Sequence, residues 1–315
     1  MGNMTPQGAR PTRKTGAAAV SRRAIRARLA PYALALPAAL LVAVFVYGVV
    51  GGVLQGFGIM PFLDMTTPTL EYYTQALTRS DLASSIGFSL YVSLLSSAIA
   101  LVGGVALAAA LTRLRTGRFA QLVALQIPIM TMHALVAMAV AFIFSGSGLA
   151  ARLLHVVGLV ETPADFSSVV GAASGWGIIL VYAWKEIPYL AFCTVTVMAH
   201  VSSSLGEAAL TCGASRRQAF FDVTLPLCAP AALRAFLVVF VFALGSYEVP
   251  FLLGPTTPKA LPVLAYIEFQ DPDIVNRCYA MALNGISTAL CSIAALLYFV
   301  LLRRERRNGE GGDRQ

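Results

Sequence analysis

The chain has 315 residues, of which 57% are apolar and only 12% charged, and its mean hydropathy is +0.74. A soluble domain carries about 25% charged residues, so this chain has too little charge to cover a water-facing surface of its size. That excludes a soluble enzyme, a disordered chain and a secreted disulfide scaffold, and it leaves an integral membrane protein.

In chain order, residues 1–28 read as a polar basic tail that includes Arg22, Arg23, Arg26 and Arg28. An apolar stretch follows from Leu29 to about Gly56. It is long, and no small-residue cleavage site ends it, so it reads as an uncleaved first span rather than a signal peptide. Five further apolar stretches lie near 84–112, 119–145, 173–200, 228–253 and 280–302. Each is long enough for a hydrocarbon core of about 30 Å, at about 1.5 Å of rise per residue. Backbone in lipid must satisfy its own hydrogen bonds, so the stretches are expected to be helices. The predicted fold is an all-α integral membrane protein with six transmembrane helices. One membrane domain covers 29–302, and a polar tail covers 303–315.

Charge sets the orientation. With both termini cytoplasmic, eighteen Arg and Lys fall on the cytoplasmic side. Four fall outside, Arg79, Arg152, Lys259 and Arg277, and Lys185 lies within a span. The positive-inside rule therefore favours cytoplasmic termini. The surplus of base, +8 overall, is accounted for by topology and calls for no nucleic acid partner. The outer loops carry Asp64, Glu71, Asp81, Glu161, Asp165, Glu268, Asp271 and Asp273, which reads either as ordinary loop composition or as an entry surface for a cationic solute. Gly48, Gly52 and Gly56, and then Gly171 and Gly175, have the spacing that lets helices approach closely. The five cysteines form no CxxC pair, and His133, His155 and His200 lie far apart, so no metal site is expected.

The segment 201–227, between the fourth and fifth spans, carries the most information. It reads Glu207-Ala208-Ala209, three residues, Gly213, nine residues, Val223, one residue, Leu225-Pro226. Two short helices are expected, over Ser203–Thr211 and Ser215–Val223, with Gly213 at the bend and Ser215 as a cap. Pro226 is expected to stop the second helix and open the next span. The spacing resembles the EAA loop of ABC transporter permeases of the binding-protein-dependent (type I) importer family, with Val223 in place of Ile. Trp184 with Ile187-Pro188-Tyr189 is similar to a segment that precedes this loop in those permeases. The run Gly245-Ser246-Tyr247-Glu248-Val249-Pro250, followed by Leu261-Pro262-Val263, resembles the polyamine (spermidine/putrescine) group.

The resemblance implies a transport subunit of a bacterial cytoplasmic (inner) membrane, with no catalytic residues of its own. By it, the residues that couple to an ATPase are Glu207, Ala208, Ala209, Gly213, Arg216, Arg217, Leu225 and Pro226. The implied partners are separate ABC ATPase subunits that carry the ATP and Mg, a second permease subunit, identical or homologous, an extracytoplasmic solute-binding protein, and the bilayer. Independently of the resemblance, a phosphate-binding P-loop needs Gly before its Lys. Lys14, Lys185 and Lys259 follow Arg13, Trp184 and Pro258, so this chain has no P-loop and the energy source is expected on another polypeptide.

Ionisable groups within spans are costly and should face the interior. Glu186 and Glu248, with Trp184 and Tyr247 as aromatic faces, are the expected solute-pathway residues. Lys185 and Glu186 are adjacent, so each should have its own partner. His133 reads as a packing residue. Pro128, Pro188 and Pro250 mark possible kinks. A polyamine is the first substrate reading, with iron(III) or a sugar as alternatives. An ATP-independent secondary transporter or channel is the competing class, and the EAA spacing argues against it. A membrane-embedded enzyme lacks a catalytic constellation.

Overall fold

A computed structural model of the chain describes residues 16–114, 118–159, 162, 166 and 168–312, with side chains over 35–114, 123–159, 162, 166 and 168–300. Lys14 and the rest of the basic tail before residue 16, Arg115, the loop acids Glu161 and Asp165, and residues 313–315 lie outside the described residues. The architecture is helical. Among the described residues the only β-type pairing is an isolated bridge between Met60 and Met65. Among the described residues six helical stretches are long and apolar enough to cross a membrane: Ala35–Gly56, Leu82–Arg113, His133–Val156, Trp176–Thr211, Arg216–Gly245 and Asn276–Val300.

The chain divides into two compact units, Met1–Leu54 and Gln55–Gln315. The first is essentially α1 (Gly16–Gly56), a helix of 41 residues that begins well before Leu29. The second unit opens with α2 (Glu71–Thr78) and the long α3 (Leu82–Arg113). Then come α4 (Arg118–Met130), α5 (His133–Phe144) and α6 (Leu149–Val156). Helix α7 (Trp176–Val201) is the most buried span, with Ile178, Ile179, Val181, Tyr182 and Leu190 fully enclosed. It packs against α3, α4, α5 and α10 (Leu225–Gly245). Helix α11 (Glu248–Leu253) and helix α12 (Leu261–Phe269) follow, and α13 (Asn276–Gly312) closes the chain, continuing as helix past Leu302. Arg and Glu, which fill residues 303–307, are good helix formers, so the polar end does not break the helix.

Two expected spans are interrupted. The stretch 119–145 breaks at Thr131–Met132, and the apolar span runs instead over His133–Val156. The stretch 228–253 stops at Gly245, where Ser246 turns extended before α11 begins. Pro250 explains the second break. It has no N–H, and its ring would clash with the carbonyl of Ser246 in a continuous helix, whereas in the first turn of α11 it costs little. Gly171 and Gly175 also differ from expectation. Both lie before α7 in the left-handed region, at φ of +71° and +68°, so they serve turns rather than a helix–helix face.

The close contact is made elsewhere, by Ala100, Gly104 and Ala108 of α3, all buried. A Cβ on Gly104 would lie 2.5 Å from Leu190 Cβ and 3.1 Å from the carbonyl oxygen of Ile187. In lipid the hydrophobic effect gives helix pairs no drive to associate, so close backbone packing must supply it. The same helix carries buried Ser85, Ser89, Ser93, Ser96 and Ser97. Ser89 Oγ accepts the backbone N–H of Leu261 at 2.8 Å, which fixes the start of α12 on α3.

A polar clasp joins α2, α3, α12 and α13. Arg79 donates from Nε to Asp81 at 2.5 Å, and from Nη1 to Glu268 at 2.6 Å and the Tyr279 hydroxyl at 3.2 Å. Two of the loop acids are therefore paired within the chain. Others cap local backbone: Asp271 accepts from the Asp273 N–H, and Asp273 from the Val275 N–H. The Arg79 hydrogen bond holds the Asp81 carboxyl below the usual aspartate range, against partial desolvation.

Two outcomes are expected. Gly104→Ala forces α3 and α7 apart, costing about 1–3 kcal/mol, and should lower the midpoint of thermal unfolding in detergent; an unchanged midpoint would contradict the contact. The stability that Arg79 lends through Asp81 is present above the ordinary aspartate range and is lost as pH falls through the lowered value. Asp81→Asn should therefore flatten the acid limb of a stability-against-pH curve, bringing the neutral plateau closer to the acid value; an unchanged acid limb would contradict the pairing.

Candidate functional site

The segment 201–227 does not form the two separate short helices expected. Helix α7 continues through a π turn (Ser202–Gly206) into α8 (Glu207–Thr211). Returning, α9 (Arg216–Gln218) leads through a second π turn (Ala219–Thr224) into α10. The result is a helical hairpin whose arms extend the fourth and fifth spans. The first π turn has a local cause. Ser203 and Ser204 hydroxyls both donate to the carbonyl of His200, at 3.1 and 2.8 Å, and compete with the regular ladder. The second sits just before Pro226, which lacks an N–H and cannot extend a regular ladder back to Asp222. Pro226 therefore does not stop a helix: the chain stays helical across it.

The tip of the hairpin is tightly specified. Gly213 has φ +92°. Its N–H donates to Leu210 at 3.0 Å, and that of Ala214 donates to Ala209 at 3.0 Å. This is a Schellman turn, and it satisfies the last carbonyls of α8. Ser215 opens the return arm with a complete capping box: Ser215 Oγ accepts from Gln218 N–H, and Gln218 Oε1 accepts from Ser215 N–H at 2.9 Å. Glu207, Ala208, Gly213, Arg216, Arg217 and Pro226 are exposed, whereas Ala209 and Leu225 are half-buried. Behind the tip lies a polar cavity of about 210 Å³ between the end of α3 and the hairpin, with Arg113, Glu207 and Arg216 on its wall.

A second feature lies along α7. Lys185 and Glu186 are both buried, at 6% and 4% exposure. Lys185 Nζ donates to the carbonyl of Thr131, at the break between α4 and α5, and faces His133 Nδ1 at 3.3 Å. Helix α4 thus ends on a carbonyl that a buried ammonium satisfies. Neither carboxylate oxygen of Glu186 has a hydrogen-bond partner among the described residues. Leaving such a group charged and uncompensated costs several kcal/mol. Both side chains line a cavity of about 230 Å³, walled otherwise by Ile129, His133, Tyr189, Val238, Val239 and Phe242. His133, expected as packing, lies with its ring tilted against Phe242 at 4.9 Å and joins this cluster.

The other expected pathway residues are placed elsewhere. Trp184 is 46% exposed and does not line the cavity. Tyr247 stacks on Tyr266 at 4.8 Å, with Phe251 edge-on to the same ring at 5.3 Å. Glu248 is exposed at the start of α11. Sequence reading did not name Thr131 as the partner of Lys185. The signal available was Pro128, which weakens α4 just ahead of it.

A family model described as "Binding-protein-dependent transport system inner membrane component" matches residues 100–308. The sulfoquinovosyl glycerol transport system permease protein of Agrobacterium fabrum is 27% identical over 40% of this chain and 42% of its own length. A putative ferric transport system permease protein of Haemophilus influenzae is 28% identical over 61% of this chain and 30% of its own. The chain therefore spans less than half the length of these two relatives. The putrescine transport system permease protein of Escherichia coli is 22% identical over 75% of this chain and 79% of its own. Among solved structures, a bacterial ABC transporter involved in import of the acidic polysaccharide alginate gives a TM-score of 0.73 at 18% identity, covering 90% of this chain and 98% of that one. That likeness is one of fold.

The charge cluster carries its own test. Lys185→Met leaves the Thr131 carbonyl without its donor and should cost about 1–3 kcal/mol in thermal stability. Glu186→Gln removes a buried uncompensated carboxylate and no hydrogen bond, so it should leave thermal stability unchanged or raise it. Equal losses for both would contradict the pairing described.

Proposed function

This chain belongs to the family of binding-protein-dependent transport system inner membrane components, and from that premise we propose that it is the permease subunit of an ATP-driven ABC importer, lining the solute path and receiving its drive from a separate ATPase. The observation that carries the reading is the exposed turn at Gly213. It combines the EAA spacing with a rigid attachment to two spans. Helices α7 and α10 run without a flexible joint into the tip, so a displacement of the tip by a docked partner is transmitted to the helices that wall the cavity.

In this reading Glu207, Ala208, Ala209 and Gly213 form the docking surface, Arg216 and Arg217 meet acids of the partner, and Leu225 and Pro226 fix the return arm to α10. The partner holds the ATP and Mg. A second permease subunit, identical or homologous, completes the path, and an extracytoplasmic binding protein delivers solute. The protein is multi-pass in a bacterial inner membrane, with both termini cytoplasmic by charge distribution. It has no catalytic role of its own.

The solute is a small molecule. A polyamine is the first reading, supported by the sequence around Tyr247–Pro250 and by the relative named for putrescine. The relatives named for iron and for a glycoside keep iron(III) and sugars as the alternatives.

Gentle purification of the tagged chain from its native membrane should recover a P-loop ATPase. Gly213→Val places a β-branched residue at φ +92°, at a cost of about 1–2 kcal/mol, which corresponds to roughly a tenfold loss of ATPase recovered. Recovery of this chain alone, unaffected by the substitution, would point to an ATP-independent transporter.

A further inference from the structure

The polar cavity behind the hairpin tip has no part in the solute path. Two exposed guanidiniums share its wall, Arg113 from the last turn of α3 and Arg216 from α9. Among the described residues neither side chain forms an ion pair or a hydrogen bond, and the Glu207 carboxylate on the same wall pairs with neither. Two like charges on one cavity repel each other, and an anion between them removes that repulsion. With Glu207 ionised, two cations and one anion leave a single net positive charge. The floor is buried, at Met198 and Thr224. At about 210 Å³ the cavity is far larger than the roughly 10–15 Å³ that one water requires. The spans fix its depth. A helix needs about 20 residues to cross the hydrocarbon core, and α10 has 21, starting at Leu225 directly after Thr224 of the floor. The cavity therefore lies where the helices leave the hydrocarbon, and charge distribution puts that end on the cytoplasmic side. Phospholipid phosphates lie at the same level, and basic pockets between spans on that side suit anionic headgroups. Phe220 on the wall and exposed Phe221, with ring centroids 5.1 Å apart, supply apolar surface beside the charges.

We propose that this cavity holds the headgroup of an anionic phospholipid of the cytoplasmic leaflet, with its phosphate between Arg113 and Arg216 and its polar end at Glu207. The planar guanidinium matches phosphate oxygens two at a time. One negative charge on the lipid balances the single net positive charge of the wall, and Glu207 accepts from a headgroup hydroxyl. Phosphatidylglycerol has that charge and those hydroxyls. A choline headgroup has neither, because its own cation cancels the phosphate and donates no hydrogen bond. The bound headgroup joins the end of α3 to α9, and so braces the hairpin against a span other than the two it extends. Arg216 has five N–H donors, enough to meet the phosphate from within and a partner's carboxylate from outside. Arg217 does not line the cavity. The inference goes beyond the importer reading and does not rest on it.

The test uses the full chain, purified with any subunits that accompany it and stripped of lipid in detergent. It is titrated with dioleoylphosphatidylglycerol while native mass spectrometry counts the bound lipids. Dioleoylphosphatidylcholine and inorganic phosphate are the comparison probes. Phosphatidylglycerol should bind saturably at this site, about tenfold more tightly than phosphatidylcholine. Arg113→Gln and Arg216→Gln should each weaken it about tenfold, by loss of charge-assisted hydrogen bonds, whereas Arg217→Gln leaves the lipid affinity unchanged. Equal affinity for the two lipids overturns the assignment. So does phosphatidylglycerol binding that neither Arg113→Gln nor Arg216→Gln weakens. Inorganic phosphate that binds as tightly as the lipid, and is lost in the same two variants, marks a site for a free anion and overturns the lipid as its occupant. None of these readouts involves ATP or uptake, so failure of the lipid assignment leaves the importer reading standing, and failure of that reading leaves the lipid result standing.

Discussion

The rest of the structure depends on how closely α3 approaches α7 at Gly104. In water a helix pair is held by withdrawing apolar surface from solvent. In lipid that term vanishes, and only contact distance and hydrogen bonds remain. Gly104, between Ala100 and Ala108, lets the backbone of α7 come within reach at Ile187 and Leu190. Once that seam is fixed, the rotation of α7 is fixed too. Lys185 then reaches the α4–α5 break, Glu186 turns into the cavity, and Trp184 is left exposed.

The same helix connects two unlike chemistries. Along its middle it holds two adjacent buried ionisable groups with unequal fates: Lys185 donates to Thr131, and the Glu186 carboxyl has no hydrogen-bond partner among the described residues. At its end it becomes the first arm of an exposed hairpin capped at both sides of a left-handed glycine. Two π turns, at Ser202–Gly206 and Ala219–Thr224, join the arms to the spans. A π turn widens the helix by one residue without opening it, so the hairpin is re-aimed while staying stiff. Stiffness suits a part that passes on movement. The Arg79 clasp belongs to a different job, holding α12 and α13 to the loop between α2 and α3.

Much of this was legible in the residues. Low charge, six apolar runs and the EAA spacing gave the fold class and the place of the turn, because those properties are local and periodic. Ser215 was legible as a cap for the same reason. What stayed hidden depended on tertiary partners or on competition within a helix. Pro128 and Pro250 signalled kinks, but the sequence did not show that the chain breaks at Thr131 and at Ser246. The spacing marks Gly48, Gly52 and Gly56, and Gly171 and Gly175, for helix contact, but the last two sit in turns; Gly104 has one glycine neighbour and alanines at the fourth positions, a subtler pattern. The loop acids read either as ordinary loop composition or as an entry surface; in the fold Asp81 and Glu268 both pair with Arg79, Glu268 across 189 residues of chain. Glu186 stands out as a costly charge in a span, but only the fold shows that among the described residues its oxygens are unpaired and its neighbour's amine is not.

The most direct measurement is photo-crosslinking from the tip of the hairpin in the native membrane. A photoreactive residue in place of Ala208, which is exposed on α8, should form an adduct with a separate polypeptide that carries a P-loop, and the adduct yield should fall about tenfold when Gly213 is replaced by Val. Adducts with lipid alone, or with polypeptides lacking a P-loop, would contradict the claim that this turn is where an ATPase engages the chain.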